Sequence, residues 1–352
     1  MRIKITSLFN KLSKSLEEKK PFVVYKYPRA KEVKGIFQKN KIIYKTHNFS
    51  ESGFVFAPFD SSSEAIIFPL EKSNLYSSEY LELGNTSKNS SFFSSKPSEE
   101  EKNHHIDLVR KGVRFLKNTQ AKKVVLSRKQ VVDYSSIDVF FFYKKLIKNY
   151  PNAMVYIWFH PKVGLWLGAT PEQLVKVKKG IFTTMALAGT QIYNNSIDIS
   201  WQEKERQEQK FVTDYIVTTL DQKLEIEKVK TIRAGNLVHL CTIISGKIAA
   251  NFSLQELLQK LHPTPAVCGL PKVAAKAFIL ENENYKREFY TGFLGELHVN
   301  DTSNLFVNLR CMQIFNKKIA IYIGGGITID SNLEKEWDET VAKSMVMLKV
   351  LG

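Results

Sequence analysis

The chain has 352 residues, enough for a large core in one or two domains, and its 43% hydrophobic and 24% charged residues are those of an ordinary globular protein. With 51 Lys+Arg against 35 Asp+Glu it carries a formal charge of +16, which favours an anionic partner, yet basic residues never run longer than two (Lys122-Lys123, Lys144-Lys145, Lys178-Lys179), which excludes a basic nucleic-acid arm. The longest apolar run, 153–159, falls far short of the ~20 residues that span a bilayer, and Cys241, Cys268 and Cys311 are odd in number without Cys-x-x-Cys spacing, which argues against a disulfide frame or zinc site and for reduced residues in a cytoplasmic protein.

Residues 1–20 predict a surface helix and lack the apolar stretch of roughly 7–15 residues that marks a signal peptide. Short β-like runs follow at 22–25, 53–56 and 65–68. Residues 84–102, rich in Ser, Asn and Glu, read as a flexible connection and the main internal boundary, dividing a divergent N-terminal portion of the sheet assembly, 1–102, from a catalytic region, 103–352. A helix is expected over 103–118, a strand over 122–134 and a helix over 138–149, closed by Pro151. Strands are predicted near 153–159, 164–168, 173–178 and 181–190, then a long helix over 199–223. Two strands within 228–248 join at Ala234-Gly235-Asn236, short helices occupy 253–260 and 272–282, and strands near 289–299, 304–315 and 318–324 lead to a last helix. Sequential groups of strands with helices between them, without regular β-α-β alternation, predict an α+β fold of mainly antiparallel sheets.

The last strand meets Gly324-Gly325-Gly326, where missing Cβ atoms let backbone amides approach a ligand, and Asp330-Ser331-Asn332 offers capping chemistry for the helix behind. This predicts a strand, a ligand-approach turn and a helix. On that helix Glu336 and Glu339 are three apart and Lys343 lies four beyond Glu339, so two carboxylates and an ammonium share a face. Glu205 and Glu208 repeat the spacing in the long helix. Two helices that each present a carboxylate pair can converge on a hard cation such as Mg2+; two solvated faces with Glu-Lys pairs are the plainer alternative. Lys123 shares a strand face with Val125, where burial is costly unless it is paired; an edge-strand lysine is the plainer reading. On their own, Glu172 reads as an exposed turn carboxylate, Gly189-Thr190 as a strand end, His239 as a hydrogen-bonded core histidine, and the loop 261–267, with Thr264 between two prolines, as a rigid connection.

Taken in order, KVVLSR at 123–128, ATPE at 169–172, LAGT at 187–190, the acidic run at 203–210, LHPTPA at 261–266, FVNLR at 306–310 and the final glycines and helix resemble the chorismate-utilising enzyme family, and among its branches isochorismate synthase. The resemblance runs from about 103 to 351. It implies an α+β fold of layered antiparallel β-sheets flanked by helices, a deep cleft between them, and dependence on Mg2+. Residue by residue, it implies Lys123 as the base for water and Glu172 as the general acid. Glu208 and Glu339 match the magnesium carboxylates, with Glu205 and Glu336 as accompanying acidic positions. Arg310 matches an arginine that clamps a substrate carboxylate; Tyr290, the Gly324 backbone and Lys343 match further carboxylate contacts; Gly189, Thr190, His239 and Thr264 line the ring. The implied reaction adds water at C2 of chorismate and expels the C4 hydroxyl. Lys123 should then be depressed by desolvation and nearby positive charge, and Glu172 raised enough to hold a proton.

Lys123 stands where anthranilate synthases have glutamine, which implies water as nucleophile and no glutaminase partner. Ala188 stands where aminodeoxychorismate synthases carry a lysine, which argues against a covalent lysine adduct. Salicylate synthase, which adds pyruvate elimination, shares nearly all these residues and is the nearest alternative; a basic nucleic-acid-binding protein is the alternative from another class. The reading is completed by a monomer without nucleic-acid or membrane partners, serving menaquinone synthesis in preference to a catechol siderophore. The chain departs from the family at Gln209, Cys268 and Gly325, where histidine, glycine and alanine are usual. These positions bear on the orientation of Glu208, the loop and the glycine segment.

Overall fold

The computed structural model describes residues 1–80, 97–134, 138–193, 199–234, 237–248, 253–315 and 317–351. Most of the connection expected over 84–102, up to residue 96, and the junction at Gly235-Asn236 lie outside the described residues. The chain opens with α1 (Ile5–Glu17) and six strands, β1 (Phe22–Lys26), β2 (Glu32–Gln38), β3 (Tyr44–Thr46), β4 (Gly53–Ala57), β5 (Ala65–Pro69) and β6 (Ser73–Glu79). It continues with α2 (Glu99–Asn118), β7 (Lys123–Asp133), α3 (Val139–Asn149), β8 (Met154–His160), β9 (Gly164–Thr170), β10 (Gln173–Lys178) and β11 (Ile181–Ile192). Then come α4 (Glu203–Leu220), β12 (Leu224–Ile226), β13 (Lys230–Ala234), β14 (Leu237–Lys247), α5 (Leu254–Leu261), β15 (Gly269–Leu270) and α6 (Lys272–Asn282). The last elements are β16 (Phe293–Val299), β17 (Thr302–Val307), β18 (Cys311–Phe315), β19 (Lys318–Ile327) and α7 (Leu333–Leu351).

The strands form two antiparallel sheets. One runs β15-β7-β19-β18-β9-β8-β1-β2-β6, the other β12-β14-β11-β10-β17-β16-β4-β5-β3, with β13 also paired to β14. The first 80 residues supply strands to both. Alternation along the strands shows how the layers are built. In β8, Met154, Tyr156 and Trp158 enter the core between the sheets, whereas Val155 and Ile157 face a second core under α1, α3 and α7. In β4, Phe54 and Phe56 point between the sheets, and Val55 and Ala57 point to a third core under α4 and α5. Strands covered on both faces read as unbroken apolar runs for this reason. No described helix is long and apolar enough to cross a membrane.

Several helices begin at the polar residues their sequence offers. Ser98 and Glu101 form a capping box on α2, as Ser253 and Glu256 do on α5. Asp138 accepts from the Phe140 and Phe141 amides, both at 3.0 Å, and Asn332 Oδ1 accepts from the Lys335 amide.

Some expectations need correction. The long helix starts at Glu203, not 199, and ends at Leu220, where Asp221 takes φ +45°. The strand expected over 304–315 is two strands, broken before Cys311 where Arg310 adopts φ +48°. The strand expected from 289 begins at Phe293. Gly324, Gly325 and Gly326 are not a turn: they continue β19 to Ile327, opposite Ser127, Leu126 and Val125 of β7. Pairing along β7 keeps the chain extended where glycine alone would favour turning. β2, β3, β6, β12 and β15, short or weakly patterned, were not predicted.

Trp158 is fully buried between the sheets, stacked on Phe68 at 5.1 Å and packed on Phe56 at 5.0 Å. Trp158→Ala leaves a cavity whose walls belong to two different sheets and is expected to cost about 3–5 kcal/mol. Chemical denaturation monitored by circular dichroism reads this; a loss below about 1 kcal/mol would show that the layer repacks.

Candidate active site

A cavity of about 230 Å3 opens where β7, β11, β14, β19, α4 and α7 meet. It is lined by Lys123, Glu172, Gly189, Thr190, Glu205, Glu208, His239, Tyr290, Arg310, Gly324, Glu339 and Lys343. Of the residues singled out from sequence, Thr264 and Glu336 lie just behind the wall, both buried.

Lys123 opens β7 with its side chain inward and 5% exposed. It is not an aggregation-blocking edge lysine, because β15 pairs with it through Leu270. Positive charge was expected beside it; the structure instead places the Glu208 carboxylate there, 3.6 Å from the ammonium. A buried amine has to be paired, and this carboxylate is its partner. A Cβ on Gly326 would lie 2.7 Å from Lys123 Cε and 3.3 Å from Glu208 Oε1, so glycine leaves room for both.

Glu172 follows β9 and is 5% exposed, not an exposed turn carboxylate. Its backbone carbonyl is held by the Val307 amide at 2.9 Å. Burial pushes its carboxyl up to about 7, against the opposing pull of the Lys123 and Arg310 charges and the Thr264 hydroxyl.

His239 on β14 pairs across the ladder with Thr190 of β11, where a bulge at Gly189 interrupts the register. Gly189 has φ +72°, and a Cβ there would lie 3.0 Å from Glu205 Cβ, so glycine also lets α4 approach. The Arg310 guanidinium lies 3.0 Å from His239 Nε2. Arginine only donates, so Nε2 accepts and the ring proton sits on Nδ1, which reaches the Gly189 carbonyl at 3.1 Å. Burial first, and then the Arg310 charge, lower His239 to about 3 and keep it neutral. Burial also lowers Arg310, to about 10, which leaves it charged at neutral pH.

Lys343 donates to the Gly324 carbonyl at 3.0 Å and pairs with Glu339 at 2.6 Å. Its charge holds the Glu339 carboxyl below the usual range. Glu336 accepts from Ser331 at 2.7 Å, lies 3.9 Å from the Lys204 ammonium, and is raised by burial. Tyr290 stacks on Tyr322 at 5.4 Å, with its hydroxyl close over Gly324.

Among the described residues no three acidic or histidine side chains are grouped tightly enough to hold an ion as they stand. Lysines engage Glu208, Glu336 and Glu339 instead. Glu205 Oε2 and Glu336 Oε2, however, are buried without a hydrogen-bond partner among the described residues. Unsatisfied carboxylate oxygens beside two further carboxylates are the donor set that a hard divalent cation takes, so these residues fit one.

The departures have local explanations. Gln209 turns away from the cavity and donates to Thr242 Oγ1 at 2.7 Å and Thr213 Oγ1 at 2.9 Å, which ties α4 to β14. Cys268 is fully buried beneath α2 and α6. A Cβ on Gly325 would meet Glu336 Oε2 at an ordinary 3.5 Å, so the usual alanine would fit. Sequence reasoning missed Tyr322 and Lys204, which also line the cavity. Tyr322 lies two residues before Gly324, and two-residue periodicity puts both on one face; no comparable signal marked Lys204.

Residues 59–352 match the model of the family described as chorismate binding enzyme, further toward the N-terminus than the motifs reach. Isochorismate synthase DhbC of Bacillus subtilis is 31% identical over 199 residues, 53% of this chain and 50% of that protein. Isochorismate synthase EntC of Escherichia coli is 29% identical over 260 residues, 70% of this chain and 66% of that protein. The alignments therefore span half to two thirds of these relatives. The solved structure of a Bacillus anthracis protein, assigned as the 2,3-dihydroxybenzoate-specific isochorismate synthase DhbC, matches with a TM-score of 0.80 at 26% identity, covering 98% of this chain and 99% of that one. Its likeness extends over both sheets and the helices outside them, and with the family match over most of the sequence it means that the chain belongs to the chorismate binding enzyme family.

Proposed function

We propose that the protein is an isochorismate synthase that adds water to C2 of chorismate and expels the C4 hydroxyl, with menaquinone synthesis as the destination of the product. The observation that supports this most strongly is that one cavity holds a buried amine, Lys123, and a buried carboxyl that keeps its proton to about pH 7, Glu172. In this reading neutral Lys123 takes a proton from water as the oxygen–C2 bond forms. The ring double bond shifts, the C4–oxygen bond breaks, and Glu172 gives its proton to the departing hydroxyl, which leaves as water. Return of a proton from the lysine to the carboxylate resets the pair.

Chorismate carries two carboxylates. Arg310, steadied by His239, offers one of them a planar fork, and Tyr290, Lys343 and the Gly324 backbone stand ready to contact the substrate. Glu208 and Glu339, with Glu205 and Glu336 beside them, would hold Mg2+. When bound, the ion would neutralise negative charge on a substrate carboxylate. Water as nucleophile requires no glutaminase partner.

Incubating the purified protein with chorismate and Mg2+ and identifying products by mass spectrometry tests the reading. Isochorismate is expected; salicylate with pyruvate would reassign the protein as a salicylate synthase, and absence of turnover would overturn the proposal. In the free protein Glu172 loses its proton at about 7, so the slope of log kcat/KM against pH should drop by one near that value, and Glu172→Gln should remove the break. Glu172→Gln should lower kcat by roughly 10²–10⁴-fold. A kcat/KM profile with no break near 7 would remove Glu172 as the acid. Glu339→Gln should raise the Mg2+ concentration giving half-maximal rate by roughly 10–100-fold; an unchanged requirement would place that carboxylate outside the cation's reach.

A further inference from the structure

We infer that Glu283 and Arg287 are a positioning pair: together they take the place of a missing neighbouring strand beside β7 and so hold Lys123 in register with the turn that carries Tyr290. This rests on the reading of Lys123 as a base. Neither residue lines the cavity, and their side chains are only 1% and 2% exposed.

On the outer edge of β7 the sheet runs out early. β15 is two residues long and pairs only with Lys123 and Val124, and the Val125 amide finds the Cys268 carbonyl at 2.7 Å. The next ladder groups on that edge are the Val125 carbonyl and the Ser127 amide. Arg287 Nη2 donates to the Val125 carbonyl at 2.7 Å, and Glu283 Oε1 accepts from the Ser127 amide at 2.8 Å. One side chain supplies the donor and the other the acceptor that a further strand would have offered there. The Ser127 hydroxyl adds a second bond to Glu283 at 2.8 Å.

The pair is closed by Arg287 Nε to Glu283 Oε2 at 2.8 Å and Nη2 to Glu283 Oε1 at 2.5 Å. The remaining arm of the fork, Nη1, reaches the Val267 carbonyl at 3.0 Å and Thr291 Oγ1 at 3.2 Å. Val125, Val267 and Thr291 lie on three different segments of the cavity wall. One rigid guanidinium therefore ties the base strand, the proline loop and the Tyr290 turn together. A lysine ammonium has neither the plane nor the reach for all of them. Stability does not by itself account for such a pair, because well-packed apolar residues often replace a buried ion pair without loss.

That property supplies the test. The double variant Glu283→Leu/Arg287→Met and the single variant Arg287→Lys are compared with the wild type in urea unfolding, amide exchange, chorismate turnover and calorimetric chorismate binding. The double variant is expected to fold, to exchange the Ser127 amide faster, and to lose about 10–100-fold in kcat while its chorismate affinity changes less than about threefold. Arg287→Lys, which keeps the charge, should lose kcat similarly. If either folded variant turns over at the wild-type rate, the pair is structural only and the inference fails; a double variant that does not fold leaves Arg287→Lys to decide it. A wild type that does not turn over chorismate would instead remove the reading of Lys123 on which the inference rests.

Discussion

The structure depends on the layer of aromatic side chains pressed between its two sheets. Phe56 stacks on Phe289 at 4.3 Å and Phe68 on Trp158 at 5.1 Å, and Trp166 stacks on Tyr322 at 5.2 Å, so rings from both sheets and their connections interlock. Rings this large are costly to expose, and their burial holds the two sheets face to face. The stack does not stop at the core. Tyr322 passes it on to Tyr290, and both of those rings line the cavity. The floor of the site is thus the last layer of the core, held by packing that involves neither Lys123 nor Glu172.

Against that floor the cavity gathers charge that would be expensive elsewhere. Lys123, Lys204 and Lys343 each stand beside a carboxylate, Glu208, Glu336 and Glu339, while Glu172 escapes the cost of burial by retaining its proton. His239 escapes it by staying neutral between Arg310 and Gly189. Glu172 and His239 each take the cheapest protonation state their surroundings permit, a carboxyl that holds its proton and a neutral ring.

Small residues and strand irregularities do the positioning. The bulge at Gly189 admits α4, Gly326 makes room for Lys123, and the left-handed backbone at Arg310 ends one strand and starts another at the cavity wall. At the short edge of β7, a side-chain pair continues the ladder that the main chain leaves unfinished. Regular sheet supplies the frame; its interruptions aim the reactive side chains.

Much of this was legible beforehand. Helices such as α3 and α7, and runs such as 153–159, announce themselves because capping and burial on both faces act on neighbouring residues, whereas α2 starts at Glu99, inside the stretch read as a flexible connection. The antiparallel α+β class follows from the order of those elements and the facing sheets from the family resemblance, and the ordered motifs name many of the side chains that line the cavity, though not Tyr322 or Lys204. Pairing partners were beyond reach, since a ladder joins residues far apart in sequence. β7 lies along β19, so the three glycines are strand and not turn, and the break at Arg310 and the burial of Glu172 come from contacts with β9 and β17. Whether Lys123 met positive or negative charge depended on where α4 came to rest. Local spacing determined which residues share a face; only tertiary packing decided what each face meets, because burial and charge pairing are properties of segments brought together from across the chain.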